Sequence, residues 1–278
     1  MSISRLYVSG LWIIPGNAKR SRQHYLDLLP TTFKALRGEH LVFFCESEDI
    51  KTVVLSLAQR YKVSLTIKHL PIQQHPDYAL TRQMTENIRP ENFKIWADAF
   101  KGSGTHEKAL NQQRFLKNSR HDIYSTVVVC NLGKTSLVNE IALENKYEEY
   151  FWIDASASRL GISGKMDFRR WRLKPGAINH RKSGMKLFGN RQTAGGLVLG
   201  GEPQVWHKLH GIYQSLLKTY ISTRCPHPAT DEVLMTLIAA QHPELFHCKN
   251  PTRTWLHKVI GKIIWNLRLT SFINRALN

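Results

Sequence analysis

The run YFWIDASAS sets Asp154 at the close of an aromatic, β-branched segment, with Ser156 two residues on. A carboxylate at a strand end suits a hard cation such as Mn2+ or Mg2+, whose octahedron is completed by hydroxyl, water and phosphate oxygens. A solvated acid closing a strand is the competing account of Asp154. Further along, TDEVLMTLIAAQ opens with Asp231 and Glu232. Either could take the proton of an attacking hydroxyl, with Glu232 the first choice. Both acids also suit the first turn of a helix with no chemistry at all, because its dipole and unpaired N–H groups favour negative charge. Between these segments, AGGLVLGG places Gly195 and Gly196 ahead of Gly200 and Gly201. They are either turn formers or places where backbone closely approaches a ligand. Arg20, Arg169, Arg170, Arg172, Arg181 and Lys182 are candidate phosphate holders, since a guanidinium meets two phosphate oxygens at once. Any one of them could equally be a solvated surface group. Of 13 histidines none forms a tight metal-binding pair, and a partly buried, hydrogen-bonded role is the default for each.

The elements that would hold these residues alternate between strand and helix patterns. LYVSGLWII reads as a first strand stopped by Pro15 and Gly16; Tyr25, Leu28, Leu29, Phe33 and Leu36 recur at helical spacing; LVFFC reads as a buried strand. Asp49 is the expected cap of a second helix, which leads into VSLTIKHLP as a third strand. Residues 71–124 are polar and helical, expected as an insertion with Trp96 and Phe100 as anchors and a flexible break at Gly102 to Gly104. STVVVCNLGKTSLVNEIALEN reads as strand then helix, or as one apolar helix; periodicity leaves both open. After YFWIDAS, the stretch Arg169 to Arg191 holds eight Lys or Arg and no acid, the composition of a mobile basic loop. GGLVLGG is a strand, Val205 to Tyr220 a helix, and a last helix is started by Thr230 or Asp231. This rhythm implies an α/β fold with a mainly parallel twisted sheet flanked by helices, whose ligands meet the carboxyl ends of the strands.

The chain has 278 residues with 42% hydrophobic content, enough for one large folded domain. Its 39 Lys and Arg against 21 Asp and Glu give a net charge of +18, which favours anionic partners without choosing among phosphate ligands, nucleic acid and an anionic membrane surface. Cys45, Cys130, Cys225 and Cys248 lie far apart and read as reduced, structural thiols of a cytoplasmic protein. Beyond Glu244 there is no acid, while Leu256, Val259, Ile260, Ile263, Ile264 and Leu267 recur at helical spacing among basic residues. Residues 1–248 are therefore expected as the main domain, and 249–278 as a basic amphipathic C-terminal helix that lies on the inner membrane or, alternatively, docks on protein. A glycine-rich dinucleotide fingerprint and a Walker-type loop are both missing, which removes oxidoreductase and kinase readings.

Taken in order, NAKRS at Asn17 to Ser21, WIDA at Trp152 to Ala155, Gly195 with Gly196, and Asp231 with Glu232 resemble the HtrL/YibB and WlaTC group of bacterial proteins. The resemblance implies a GT-A-like glycosyltransferase. Its donor would be a nucleotide sugar and its acceptor a glycan or lipid-linked saccharide, in lipopolysaccharide, lipooligosaccharide or capsule assembly. It also places a lysine at the start of a helix before the WIDA motif, so Lys134 is expected to touch donor phosphate. GT-A enzymes usually carry Asp-x-Asp, whereas this chain has Asp154, Ala155 and Ser156. Ser156 or water would then supply the missing metal oxygen, or basic residues would do much of the metal's work. GT-A enzymes often supply a third metal ligand after the last motifs, where His227, His242 and His247 stand, and the resemblance makes His247 the candidate against a hydrogen-bonded structural role. If transfer inverts the sugar, Glu232 or Asp231 is the base; if it retains configuration, they position the acceptor. The rival reading is a non-catalytic basic protein that binds nucleic acid, although no signature of such a module is found and no nucleic acid partner is expected.

Overall fold

The computed structural model describes residues 4–17, 19–86, 88–99, 104–157, 171–182, 194–222 and 230–249, with backbone alone at 95, 96, 99, 104, 105 and 182. The Trp96 side chain, Phe100, residues 102 and 103 of the expected break, Arg169, Arg170 and residues 183–191 of the basic stretch, Cys225, His227 and the C-terminal tail beyond Lys249 lie outside what is described.

In chain order the elements are β1 (Arg5–Leu11), α1 (Arg22–Ala35), β2 (His40–Cys45), α2 (Glu48–Tyr61), β3 (Ser64–His69), α3 (Tyr78–Thr85), α4 (Pro90–Ala99), α5 (Gly104–Asn118), α6 (His121–Leu132), α7 (Lys134–Ala142), β4 (Glu149–Ile153), β5 (Ile178–Lys182), β6 (Ala194–Gly201), α8 (Pro203–Ser222), α9 (Asp231–Gln241) and β7 (Phe246–Lys249). The strands form one sheet in the order β3-β2-β1-β4-β6-β5-β7. Among the described strands, only β6 runs against the rest: it pairs antiparallel with both β4 and β5, whereas β1, β2, β3 and β4 pair in parallel, as do β5 and β7. The mainly parallel α/β sheet read from the sequence is present.

Helices cover both faces, which is why the central strands are apolar on both sides. On one face, Val8, Val42, Phe44, Tyr150 and Trp152 pack with residues of α3 to α9. On the other, Tyr7, Phe43, Phe151 and Ile153 meet Leu29 and Phe33 of α1 and Ile50 and Val54 of α2. Each such fully buried side chain contributes roughly 1.5–3 kcal/mol. The 71–124 segment is helical as expected, and Met84, Phe93, Phe115 and Tyr124 from it belong to the main core.

Several local expectations change. The cap of α2 is Ser47, whose hydroxyl accepts from the Ile50 N–H, while Asp49 sits in the first turn and pairs with Arg22. The ambiguous apolar run is two helices, α6 and α7, which break at Gly133. Within the basic stretch, INHRK is strand β5, so that part is sheet and not loop. Thr230, not Asp231, caps α9 by accepting from the Val233 N–H, an interaction worth about 1 kcal/mol.

Candidate active site

From β1 the parallel sheet extends in one direction through β2 and in the other through β4. In open α/β sheets, the crevice beyond the carboxyl ends of two such strands is where ligands bind. A cavity of about 430 Å3 opens there, walled by Leu11 at the end of β1 and Trp12 after it, Asp154 to Ser156 after β4, and Asp231 and Glu232 of α9. Because β6 is reversed, its beginning lies at this end too, and the Asp154 N–H donates to the Leu197 carbonyl at 2.9 Å. The strand end, the reversed strand and a helix start therefore converge on one point.

At that point stands Lys134, only 4% exposed. The break at Gly133 turns the chain so that Lys134 is the first residue of α7. Its Nζ lies 2.8 Å from Asp154 Oδ1 and 2.6 Å from Asp231 Oδ2, and donates to the Gly196 carbonyl at 3.0 Å. An ammonium has three N–H groups, and three protein acceptors surround this one. Burial acts to discharge Lys134, but the two carboxylates outweigh it and hold the amine charged well above the usual lysine range. Burial pushes the Asp154 carboxyl up, aided by repulsion from Asp231 and opposed by Lys134. For Asp231 burial acts in the same direction, but Lys134, Lys108 and Lys19 overcome it and hold the acid below its usual value. The indole Nε1 of Trp152 also donates to Asp154 Oδ1, at 2.7 Å.

Gly196 is explained by the same cluster. A Cβ on it would lie 2.0 Å from Asp231 Oδ2 and 3.3 Å from Lys134 Nζ. The missing side chain makes room for a buried carboxylate, where the sequence suggested a bound sugar ring or a turn. Gly195 neighbours it on β6, opposite Arg181. Lys134 in turn gives its N–H groups to three protein acceptors while standing in the cavity lining.

Glu232 and Asp231 are adjacent in sequence but differently employed. Asp231 is buried against Lys134, while Glu232 is part-exposed in the cavity wall and paired with Lys108 of α5. Arg20 and Tyr25 both line the cavity. Ser156 is buried in the wall close to Asp154 in sequence. Five basic side chains, Lys19, Arg20, Lys108, Arg114 and Lys134, face three acids around this cavity. The excess of positive charge suits a phosphate-bearing ligand.

The proposed metal set does not come together. His247 lies on β7 at the edge of the sheet, opposite Asn179, and is not among the residues walling the cavity. Mn2+ or Mg2+ demands oxygens at about 2.0–2.2 Å, yet the facing oxygens of Asp154 and Asp231 hold the Lys134 ammonium between them. As arranged, these residues do not fit a divalent cation.

Three participants escaped the sequence reading. Lys108 sits in a polar helix with no local pattern to mark it. The indole of Trp152 was legible in principle, because residues two apart on a strand share a face, so WIDA sets Trp152 and Asp154 side by side. Behind α7 lies a buried polar network: Asp77 accepts from the Ser136 hydroxyl at 2.6 Å and from the Gln214 amide, and Ser136 also meets His210 Nδ1 at 3.2 Å. Its members come from α3, α7 and α8 or their flanks, and no spacing within one segment announces it.

No family model and no curated protein matches the chain. Among solved structures, it is similar to apo mouse xyloside xylosyltransferase 1, with a TM-score of 0.45 and 12% identity over 89% of this chain and 85% of that one. It is also similar to core-mannan synthase A (CmsA/Ktr4) from Aspergillus fumigatus in a Mn/GDP form, with a TM-score of 0.45 and 10% identity over 87% of this chain and 70% of that one.

Proposed function

We propose that the chain is a glycosyltransferase that takes a sugar from a nucleotide-sugar donor and passes it to a hydroxyl of a surface glycan or lipid-linked saccharide. The observation that carries this reading is the cavity at the β1/β4 crevice, where a basic wall meets an acid pair at a strand end and a helix start. A diphosphate leaving group gathers negative charge as the sugar departs, and preoriented cations are most effective at stabilising it. Arg20, Arg114, Lys19 and Lys108 line the space where such a group would lie. Glu232 is the carboxylate within reach of the same space, and its pairing with Lys108 must loosen for it to accept an acceptor proton. Asp154, fixed by Trp152 and Lys134, shapes the floor.

The test is a panel of nucleotide sugars read by thermal shift and by released nucleotide, with a nucleic-acid titration in the same buffer. Donor-dependent stabilisation with slow nucleotide release supports the reading. Salt-sensitive binding of nucleic acid with no response to any donor overturns it in favour of a binding protein. For location we propose a peripheral site on the cytoplasmic face of the inner membrane, based on the basic amphipathic pattern of 249–278. None of the described helices is long and apolar enough to cross a membrane. Removing the residues after Lys249 should release the protein from anionic vesicles at physiological salt; unchanged sedimentation with vesicles would discard the membrane assignment.

A further inference from the structure

The acid pair and the lysine between them carry a second inference, which rests on the glycosyltransferase reading. We infer that Lys134 is the resident cation of this site: its ammonium occupies the position between Asp154 and Asp231 that a divalent ion would need, and donor binding proceeds without Mn2+ or Mg2+. Three observations support this. The ammonium has protein acceptors at 2.6, 2.8 and 3.0 Å, one for each N–H. Lys134 is buried at the first turn of α7 with its helix packed in the core, so it is built in and not a surface side chain that has swung across. Gly196 leaves space for Asp231 to reach it, since any Cβ there would collide with that carboxylate.

Charge balance follows from the same geometry. Lys134 cancels one of the two carboxylate charges directly beneath the cavity, and the remaining basic lining faces the ligand. The phosphates of the donor are then met by Arg20, Arg114, Lys19 and Lys108 themselves, with no bridging ion. Guanidinium and ammonium groups can neutralise a diphosphate in this way without metal coordination. Lys134 remains a positioning residue: it fixes Asp154 and Asp231 and sets their charge, and it does not touch the donor.

The experiment uses the full chain, stripped of metal with EDTA. Wild type is titrated with Mn2+ and followed by electron paramagnetic resonance, and then with UDP and GDP by calorimetry in EDTA and in Mn2+. The expected result is no Mn2+ uptake at this site and nucleotide affinities equal within about twofold in the two buffers. In Lys134→Ala the freed carboxylates should gain Mn2+ affinity by about tenfold or more, a gain that Lys134→Arg should not show. One Mn2+ bound per wild-type chain and lost in Asp154→Asn, or nucleotide binding abolished by EDTA and restored by Mn2+, overturns the inference and leaves the transferase reading standing. Failure of every nucleotide to bind in both buffers sinks the transferase reading instead, while the Mn2+ titration of wild type still decides the role of Lys134. Should Lys134→Ala not fold, the wild-type titration and Lys134→Arg decide alone.

Discussion

Gly196→Ala isolates the central cluster with a single methyl group. The added Cβ would stand 2.0 Å from Asp231 Oδ2, far inside van der Waals contact, and 3.3 Å from Lys134 Nζ. Backbone on β6 cannot retreat, because its neighbours pair with β4 through Trp152 with Leu199 and Ile153 with Val198. The Asp231 side chain must therefore rotate and surrender its 2.6 Å contact with Lys134. Breaking a buried pair by displacing one partner costs on the order of 3–5 kcal/mol, because a desolvated charge is left without compensation. In a protein of this size each kcal/mol lowers Tm by about 2–4 °C, so the variant should melt roughly 10 °C below wild type and lose donor binding as well. Gly211→Ala is the control: this glycine lies in α8, where an added Cβ meets nothing within 4 Å. Replacing a helical glycine there should stabilise by about 0.5–1 kcal/mol. Thermal melts by circular dichroism and calorimetric titration with donor decide. A Gly196→Ala protein that melts within about 2 °C of wild type and binds donor normally would refute the packing argument.

Other expectations can be checked alongside. Glu232→Gln should slow sugar transfer by about 100-fold or more, with donor affinity nearly unchanged, as for a lost general base; unaltered turnover would remove Glu232 from the chemistry. Ser136→Ala leaves Asp77 with one fewer donor in a buried network and should cost about 1–3 kcal/mol by chemical denaturation, with no loss of stability counting against the network. His75 supplies a pH dependence: burial pulls its pKa from 6.5 down to about 4, with Asp77 opposing. The unfolded chain takes up this proton near pH 6.5 and the folded chain only near pH 4, so stability is full above that window and is lost as pH falls through it. At about 1.4 kcal/mol per pH unit, roughly 3 kcal/mol is involved. Unfolding free energies measured from pH 7.5 to 4.5 should fall less steeply in His75→Gln, and parallel slopes would refute the assignment.

The alternation of strands and helices was legible because parallel strands buried on both faces must be apolar throughout, as LVFFC and YFWI are. Asp154, Asp231, Glu232 and the glycine pair were legible as residues able to do chemistry. Their relation was not. Nothing in the local pattern shows that Lys134 lies between two acids 20 and 97 residues further on, because that depends on the sheet order and on the reversal of β6. For the same reason Gly196 looked like a ligand contact when its neighbour is a carboxylate of its own chain. The α6/α7 run defeated periodicity because a helix buried all round has no polar face, and β5 was hidden because an edge-side strand next to basic residues reads as loop. The assignment of His247 as a metal ligand followed motif order alone, and the sheet carries that residue to a different edge.

The position of Lys134 has a consequence for how the chain comes off the ribosome. Its partners emerge in sequence: Asp154 soon after, the Gly196 carbonyl 62 residues later and Asp231 97 residues later. At synthesis rates of about 5–20 residues per second, the last partner lags by roughly 5–20 s. Strands β1 to β4 can assemble in that interval, but the ammonium stays partly uncompensated until α9 arrives. The scaffold is thus acquired before the candidate site, and an interrupted product that stops short of α9 carries a partial sheet without Asp231 and Glu232.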